Sequence, residues 1–276
     1  MRLYIQLLSA AFSNSFLKGF KLGSVYSGGT KAYCIPALNC GSCPGALFSC
    51  PIGILQQQIA NKGSLFYIIG FIAFVGALLG RLVCGFLCPF GLLQDLIYKI
   101  PFVKKLKTIK GDKVLRHLKG VIFFLFCLIL PLFVLDEFGY GKAWFCSYIC
   151  PAGTLEAGIP LCLLNDGLRA SIGFLFAWKA TILVFLIILS LLIYRPFCRY
   201  LCPFGYILGK FNKVSLYQMK VDSKKCIDCG KCEAVCKMAV DIRIDANSSE
   251  CIRCGECKNA CPVKAISSEL RPLSRS

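Results

Sequence analysis

The sequence predicts an α-helical integral membrane protein of three to four spans that ends in a small α+β domain. Three observations point there. Of 276 residues, 57% are hydrophobic, and mean hydropathy is +0.66, above the roughly 45–50% apolar content of a soluble domain. The apolar residues gather into stretches near membrane-spanning length. Twenty cysteines accompany a single histidine, His117, which excludes most His-rich metal chemistry and leaves thiolate as the dominant ligand type.

Ser64 to about Leu87, Gly120 to Leu135 and Ile172 to Tyr194 reach or approach the roughly 20 residues a spanning helix needs. Pro131 predicts a kink or local thinning in the second, and Lys179 lies close enough to the start of the third to snorkel. Leu3–Phe20, interrupted by Ser13, Asn14 and Ser15, reads as a marginal further span or as an interfacial amphipathic helix. It has neither a clean apolar core nor a small-residue cleavage site, so no cleavable leader is expected.

Lys104, Lys105, Lys107, Lys110, Lys113 and Arg116 are opposed only by Asp112, which puts that loop in the cytoplasm. Residues 136–171, with Asp136, Glu137, Glu156 and Asp166 against Lys142 and Arg169, then lie outside. Lys210, Lys213, Lys220, Lys224 and Lys225 mark the last cytoplasmic exit. The count closes only if residues 1–20 cross once or the N-terminus lies outside, and Lys18, Lys21 and Lys31 make the second awkward. The expected organisation is an N-terminal segment 1–63, a membrane region 64–215 and a cytoplasmic domain 216–276, in a multi-pass protein of the inner cell membrane.

In the last domain Cys226, Cys229, Cys232 and Cys236 follow C-x2-C-x2-C-x3-C, and Cys251, Cys254, Cys257 and Cys261 repeat it, with Pro262 after the last. This is the spacing of a bacterial two-cluster ferredoxin. Three cysteines on a tight loop hold one cube, and the fourth reaches across to the other. One [4Fe–4S] cluster is therefore assigned to Cys226, Cys229, Cys232 and Cys261, the second to Cys251, Cys254, Cys257 and Cys236. Gly230 and Gly255 let backbone N–H groups approach the sulfurs. All-cysteine zinc modules pair C-x2-C with a distant C-x2-C rather than running three cysteines together. Lys237 stands where the pattern usually has proline.

Upstream, C-x3-C-P occurs three times, at Cys84–Cys88–Pro89, Cys146–Cys150–Pro151 and Cys198–Cys202–Pro203. Gly91, Gly153 and Gly205 follow two residues after each proline. Cys50–Pro51–Ile52–Gly53 is an imperfect fourth copy, preceded by Cys34, Cys40 and Cys43. Residues four apart share a helix face, and the proline disfavours helix at the second cysteine, so each pair sits at a helix end. Topology then pairs Cys84, Cys88, Cys198 and Cys202 as an inner [4Fe–4S] site. An outer site uses Cys146 and Cys150 with two of the N-terminal group; Cys43 and Cys50 are expected, with Cys34 and Cys40 as alternatives. One or two further clusters thus add to the ferredoxin pair. Structural zinc or redox thiols are the competing readings.

Arg81, Arg195 and Arg199 lie within a turn of the inner cysteines, either offsetting thiolate charge or snorkelling as anchors. Cys127 and Cys162 read as packing residues, His117 as a solvated loop residue, and Trp144 and Trp178 as interface anchors. Sixteen cluster-bound cysteines would cut the formal +18 to roughly +10. Residues 222–276 hold ten Lys/Arg against eight Asp/Glu, so the excess sits in membrane-protein loops, and no nucleic-acid partner is expected. Disulfide scaffolds are short and soluble, unlike this chain.

Through Cys84-Gly-Phe-Leu-Cys88-Pro, Cys198-Arg-Tyr-Leu-Cys202-Pro and the two ferredoxin runs, roughly residues 64–261 resemble the membrane polyferredoxins. These are related to the quinol dehydrogenase membrane subunit of periplasmic nitrate reductase and to the membrane half of the nitrous oxide reductase regulator. The resemblance implies electron transfer between a cytoplasmic donor and an extracytoplasmic or membrane acceptor such as a flavin-binding protein or quinone. It leaves quinol dehydrogenase and metal-ion reductase as alternatives. The Cys34–Cys50 group and the third C-x3-C-P are extra to the family pattern, and the regulator's flavin domain has no counterpart here. A zinc or redox-thiol maturation or sensing protein is the alternative of another class.

Overall fold

Proline and glycine punctuation sets the helix lengths. The computed structural model describes residues 2–101 and 104–270, so the last six residues of the expected 216–276 domain lie outside the described residues. Among the described residues two helices are long and apolar enough to cross a membrane, Asp112–Phe133 and Phe174–Leu192, about 33 and 29 Å at 1.5 Å per residue. The first starts ahead of its apolar run, because Asp112 accepts from Tyr200 Oη at 2.6 Å and pairs with Arg116 at 2.7 Å and Arg199 at 2.8 Å. Where Pro131 predicts a kink, the helix winds as a π-helix over Phe123–Ile129; proline removes a regular hydrogen bond, and the wider winding absorbs the loss. Gly153–Gly158 does the same ahead of Pro160.

The expected span Ser64–Leu87 is divided. Phe66–Leu79 is helical, about 21 Å long and short of a roughly 30 Å hydrocarbon core. Gly80 then turns at φ +52°, and the Arg81 N–H donates to Asn212 Oδ1 at 2.9 Å. The turn delivers Arg81 inward, which explains why an apolar run does not continue as one helix. Leu3–Phe20 is likewise two helices, Arg2–Ser13 and Leu17–Leu22. Arg2 pairs with Asp95 and donates to Tyr194 Oη at 2.7 Å. At the far end of that helix Asn14 meets Asn39 at 3.0 Å and the Leu47 N–H donates to Ser13 at 3.1 Å. It thus runs from the neighbourhood of Cys84 and Cys198 to the loop bearing Cys40 and Cys43.

The C-terminal domain pairs strand Tyr217–Val221 antiparallel with Ile266–Leu270, Tyr217 opposite Leu270 and Val221 opposite Ile266. Between them lie two five-residue helices, Lys231–Val235 and Glu256–Ala260. The domain is bolted to the helices by buried charge. Arg81, with no exposed surface, donates to the Ser249 carbonyl at 2.7 Å and pairs with Glu250 at 3.2 Å. Lys119 pairs with the other Glu250 oxygen. Arg253 donates to the carbonyls of Leu79 at 3.0 Å and Asn212 at 2.6 Å. Burial alone would raise the Glu250 carboxyl, but the Arg81 and Lys119 charges outweigh it and hold that carboxyl below its ordinary range.

Glu250→Ala leaves two buried cations facing no carboxylate, a loss of about 3–5 kcal/mol for a buried pair. The expected result is faster limited proteolysis around residues 212–224 and a lower unfolding midpoint in detergent. Cleavage at the wild-type rate would show that other contacts hold the domain.

Candidate metal centres

Each Cys–Pro step does the same local work. Cys50, Cys88 and Cys202 are N-caps in extended conformation, with Pro51, Pro89 and Pro203 opening the next helix. Proline costs nothing there, since the first helical N–H has no partner in any case. The Cys88 and Cys202 sulfurs accept from the Gly91 and Gly205 N–H groups, each at 3.3 Å. A thiolate at this place faces the positive helix end. The second cysteine of each motif therefore heads a new helix, in place of ending one as the spacing suggests.

The structure brings Cys84, Cys88, Cys198 and Cys202 together around one cavity, walled also by Leu38, Arg81 and Gly205. Two arginines lace the pairs reciprocally. Arg81, three residues before Cys84, donates to the Cys198 carbonyl at 3.1 Å. Arg195, three before Cys198, donates to the Cys84 carbonyl and grips both oxygens of Asp95 at 2.7 and 2.6 Å. Each lies over the other motif's glycine: a Cβ on Gly91 would sit 3.0 Å from the Arg195 guanidinium, and one on Gly205 would sit 3.3 Å from Arg81 Nη2. Arg81, Arg195 and Arg199 have no exposed surface, so the snorkelling alternative gives way to burial, beside the thiols for Arg81 and Arg195 and against Asp112 and the Lys107 carbonyl for Arg199.

The outer group assembles differently from expectation. Cys40, Cys50, Cys146 and Cys150 line one cavity with Lys31 and Lys179. Cys43, expected in this set, does not line it and Cys40 stands there instead; Cys34 is also off the wall. The reason is Glu156, whose Oε2 accepts the Cys40 N–H at 2.6 Å and pins Cys40 at the cavity, while the turn closed by the Cys43 N–H onto the Cys40 carbonyl at 3.0 Å leaves Cys43 behind. Burial pushes the Glu156 carboxyl up to about 7. Lys179 does not snorkel away; its Nζ donates to the Cys146 carbonyl at 3.1 Å.

Sequence reasoning missed two buried glutamines. Gln94 Oε1 accepts the Phe197 N–H at 3.1 Å, while its Nε2 donates to Cys198 Sγ at 3.3 Å. Gln56 does the same to the Phe145 N–H at 2.9 Å and Cys146 Sγ at 3.3 Å. The signal was present as a repeat: Cys50-Pro-Ile-Gly-Ile-Leu-Gln56 matches Cys88-Pro-Phe-Gly-Leu-Leu-Gln94, and Glu156 holds the same place after Cys150.

In the C-terminal domain one cavity is lined by Cys226, Cys229, Cys232 and Cys261, and another by Cys236, Cys251, Cys254 and Cys257, with Cys232 in the wall of both. The two halves repeat at 25 residues: Asp228 and Arg253, Gly230 and Gly255, Ala239 and Lys264 all take positive φ, from 51° to 79°. Such turns aim successive N–H groups at an anion. Val240, Arg253 and Ala265 N–H groups donate to Cys236, Cys251 and Cys261 sulfurs at 3.4, 3.4 and 3.3 Å. Lys237, in the place of the usual proline, pairs with Glu256 at 3.0 Å.

The family described as "4Fe-4S binding domain" matches residues 62–110, 117–159 and 175–222, and each run holds one C-x3-C-P pair. A second model of that description matches residues 244–267. The chain belongs to the polyferredoxin-like 4Fe-4S binding family. Among its relatives is an uncharacterised protein of Methanocaldococcus jannaschii, 32% identical over 201 residues, covering 70% of this chain and 74% of that one. The candidate electron transport protein YccM of Escherichia coli is 28% identical over 202 residues, 68% of this chain and 49% of its own. The methylamine utilization ferredoxin-type protein MauN of Methylorubrum extorquens is 28% identical over 192 residues, 69% of this chain and 58% of its own. No solved structure matches the chain.

The residues present fit the group this family binds. Thiols ring each cavity, N–H groups aim at sulfur, and the buried Arg81 Nε at the inner ring has no partner. Among the described residues no three Cys, His, Asp or Glu side chains converge as a single ion requires.

A Cβ on Gly85 would lie 2.5 Å from the Ile252 carbonyl oxygen, a backbone atom unable to step aside cheaply. Gly85→Ala should therefore cost about 1–3 kcal/mol of overpacking and part the C-terminal domain from the inner ring. Faster hydrogen exchange at residues 249–254 would be the readout; unchanged exchange would show that the contact is soft.

Proposed function

We propose that this chain is a membrane-embedded electron conduit, taking single electrons from a cytoplasmic redox protein and delivering them to an extracytoplasmic or membrane acceptor. The observation that carries this reading is a row of thiol-lined cavities with common walls. Cys232 lines both cavities of the C-terminal domain. Ile252 lines the second of them, and its carbonyl lies against Gly85, next to Cys84 of the inner ring. Leu38 lines both the inner and the outer cavity. No acid, base or nucleophile is needed along such a row.

Cys226, Cys229, Cys232 and Cys261 would hold one [4Fe–4S] cluster, and Cys236, Cys251, Cys254 and Cys257 the next. Cys84, Cys88, Cys198 and Cys202 would hold the third, and Cys40, Cys50, Cys146 and Cys150 the fourth. When bound, such a cluster supplies a one-electron couple tuned by hydrogen bonds to sulfur and by exposure. The names borne by YccM and MauN, electron transport and ferredoxin-type, agree with that chemistry.

Two features support the membrane reading. A soluble core helix is mostly buried, yet only 28% and 17% of the apolar windows in Asp112–Phe133 and Phe174–Leu192 are buried. Their outer faces carry Phe124, Ile129, Phe133, Val184, Phe185 and Ile188 in the open. The basic loop also meets the C-terminal domain, with Lys107 Nζ on the Glu233 carbonyl at 2.6 Å. Loop and domain thus share one face, which the positive-inside rule makes cytoplasmic. Arg2–Ser13 runs beside the bundle, but at about 18 Å it is, like Phe66–Leu79, short of a full crossing.

A second reading, direct reduction of a quinone or metal ion, is favoured by the size of the outer cavity. It measures about 1400 Å³ counting its mouth, against about 320 Å³ at the inner ring. Quinone-dependent reduction of the purified protein would select it.

Iron and acid-labile sulfide in anaerobically purified protein test the conduit. About 16 iron atoms per chain are expected, falling toward 12 when Cys84 and Cys202 are both changed to Ser. About 8, unmoved by that change, would leave a ferredoxin on an anchor. Cys40→Ser should also remove about four iron atoms while Cys43→Ser removes none; the reverse result would restore the spacing-based ligand set.

A further inference from the structure

The two buried glutamines form a matched pair, one for each ring among the helices. Each uses both amide protons and its carbonyl oxygen. Gln94 is 2% exposed and Gln56 not at all. The Phe197 and Phe145 N–H groups are donors only, so each faces an Oε1. That fixes each amide's orientation and turns Nε2 toward sulfur. The remaining Nε2 proton goes to a carbonyl one turn back, Phe90 at 3.3 Å or Ile52 at 3.1 Å. The amide is thus anchored by two backbone hydrogen bonds and presents one N–H to Cys198 or Cys146.

We infer that Gln94 and Gln56 are positioning residues that raise the reduction potentials of the inner and outer sites by donating to Cys198 and Cys146. The inference rests on the conduit reading above. Reduction adds negative charge that spreads onto the ligand sulfurs, and a donor to sulfur stabilises the more negative state. The amide cannot turn away, because its acceptor end is committed to the backbone. Glu156 indicates the variant to make. At the equivalent place a carboxylate still accepts a backbone N–H, that of Cys40, so an ionised Glu in place of Gln, titrated at about pH 9 to hold it charged, preserves the backbone clasp while removing the donor.

The experiment is an EPR-monitored redox titration of the full chain in detergent, with iron counted in the same samples. Gln94→Glu should make one cluster at least about tenfold harder to reduce, about 59 mV for one electron, in the signal that the Cys84/Cys202 double serine variant lacks. Gln56→Glu should move a different signal, and the two ferredoxin signals should hold. Gln94→Met and Gln56→Met, which remove the donor without adding charge, should move the same signals by less. Retained iron with unmoved potentials would overturn the inference and leave the conduit standing. Loss of about four iron atoms in both the Glu and Met variants of a site would also overturn it, making that glutamine a structural prop. A wild-type count of only about 8 iron atoms would remove the conduit reading itself, and the inference with it.

Discussion

The rest of this structure depends on the gathering of cysteine thiols into two rings among apolar helices. A four-thiolate cluster carries about −2, and such charge is costly near hydrocarbon unless cations stand close by. The chain meets this with guanidinium groups taken wholly out of solvent. Arg81, Arg195 and Arg199 have no exposed surface and Arg253 has 2%. Burying them would be unfavourable alone, and each is offset by carbonyls or by a carboxylate from another element: Asp95, Asp112 or Glu250. The groups that balance charge also assemble the fold. Arg81 joins the first membrane motif to the third through Cys198 and to the C-terminal domain through Ser249 and Glu250.

A second economy is repetition. One device, Cys–Pro–x–Gly opening a helix, recurs four times, and two such motifs face each other at each ring. Glycine lets the partner motif's cation lie close on the backbone, as Arg195 does on Gly91 and Arg81 does on Gly205. The sixth residue after the capping cysteine reaches across in three copies, as Gln56, Gln94 and Glu156. In the fourth it is Leu208, packed in the core. The outer ring departs most from this symmetry. It draws Cys40 from a loop, pairs it with an acid, and opens into a wide cavity.

How much could be read in advance depended on whether a feature is local. The grouping of the C-terminal cysteines around two cavities was legible because x2-x2-x3 spacing closes one loop on itself, and the exchange of the fourth cysteine follows from the repeat. The inner set was legible because helical pitch places each pair together and charge in the loops says which pairs share a face. The divided span was not, since hydropathy averages over Gly80 and Arg81 and gives no sign that Asn212, more than 130 residues away, captures the Arg81 N–H.

By itself, then, the sequence determined the 4Fe-4S binding family, which cysteines of the C-terminal domain and of two C-x3-C-P motifs line common cavities, and the apolar helical class. Each of these follows from spacing, composition or charge within a short stretch. Only the tertiary structure decided that Cys40 and not Cys43 meets the outer cavity, that the arginines turn inward, and that Gln56 and Gln94 reach sulfur. Each of those depends on one hydrogen-bonding group finding a partner from a distant segment, and a linear pattern carries no record of that meeting.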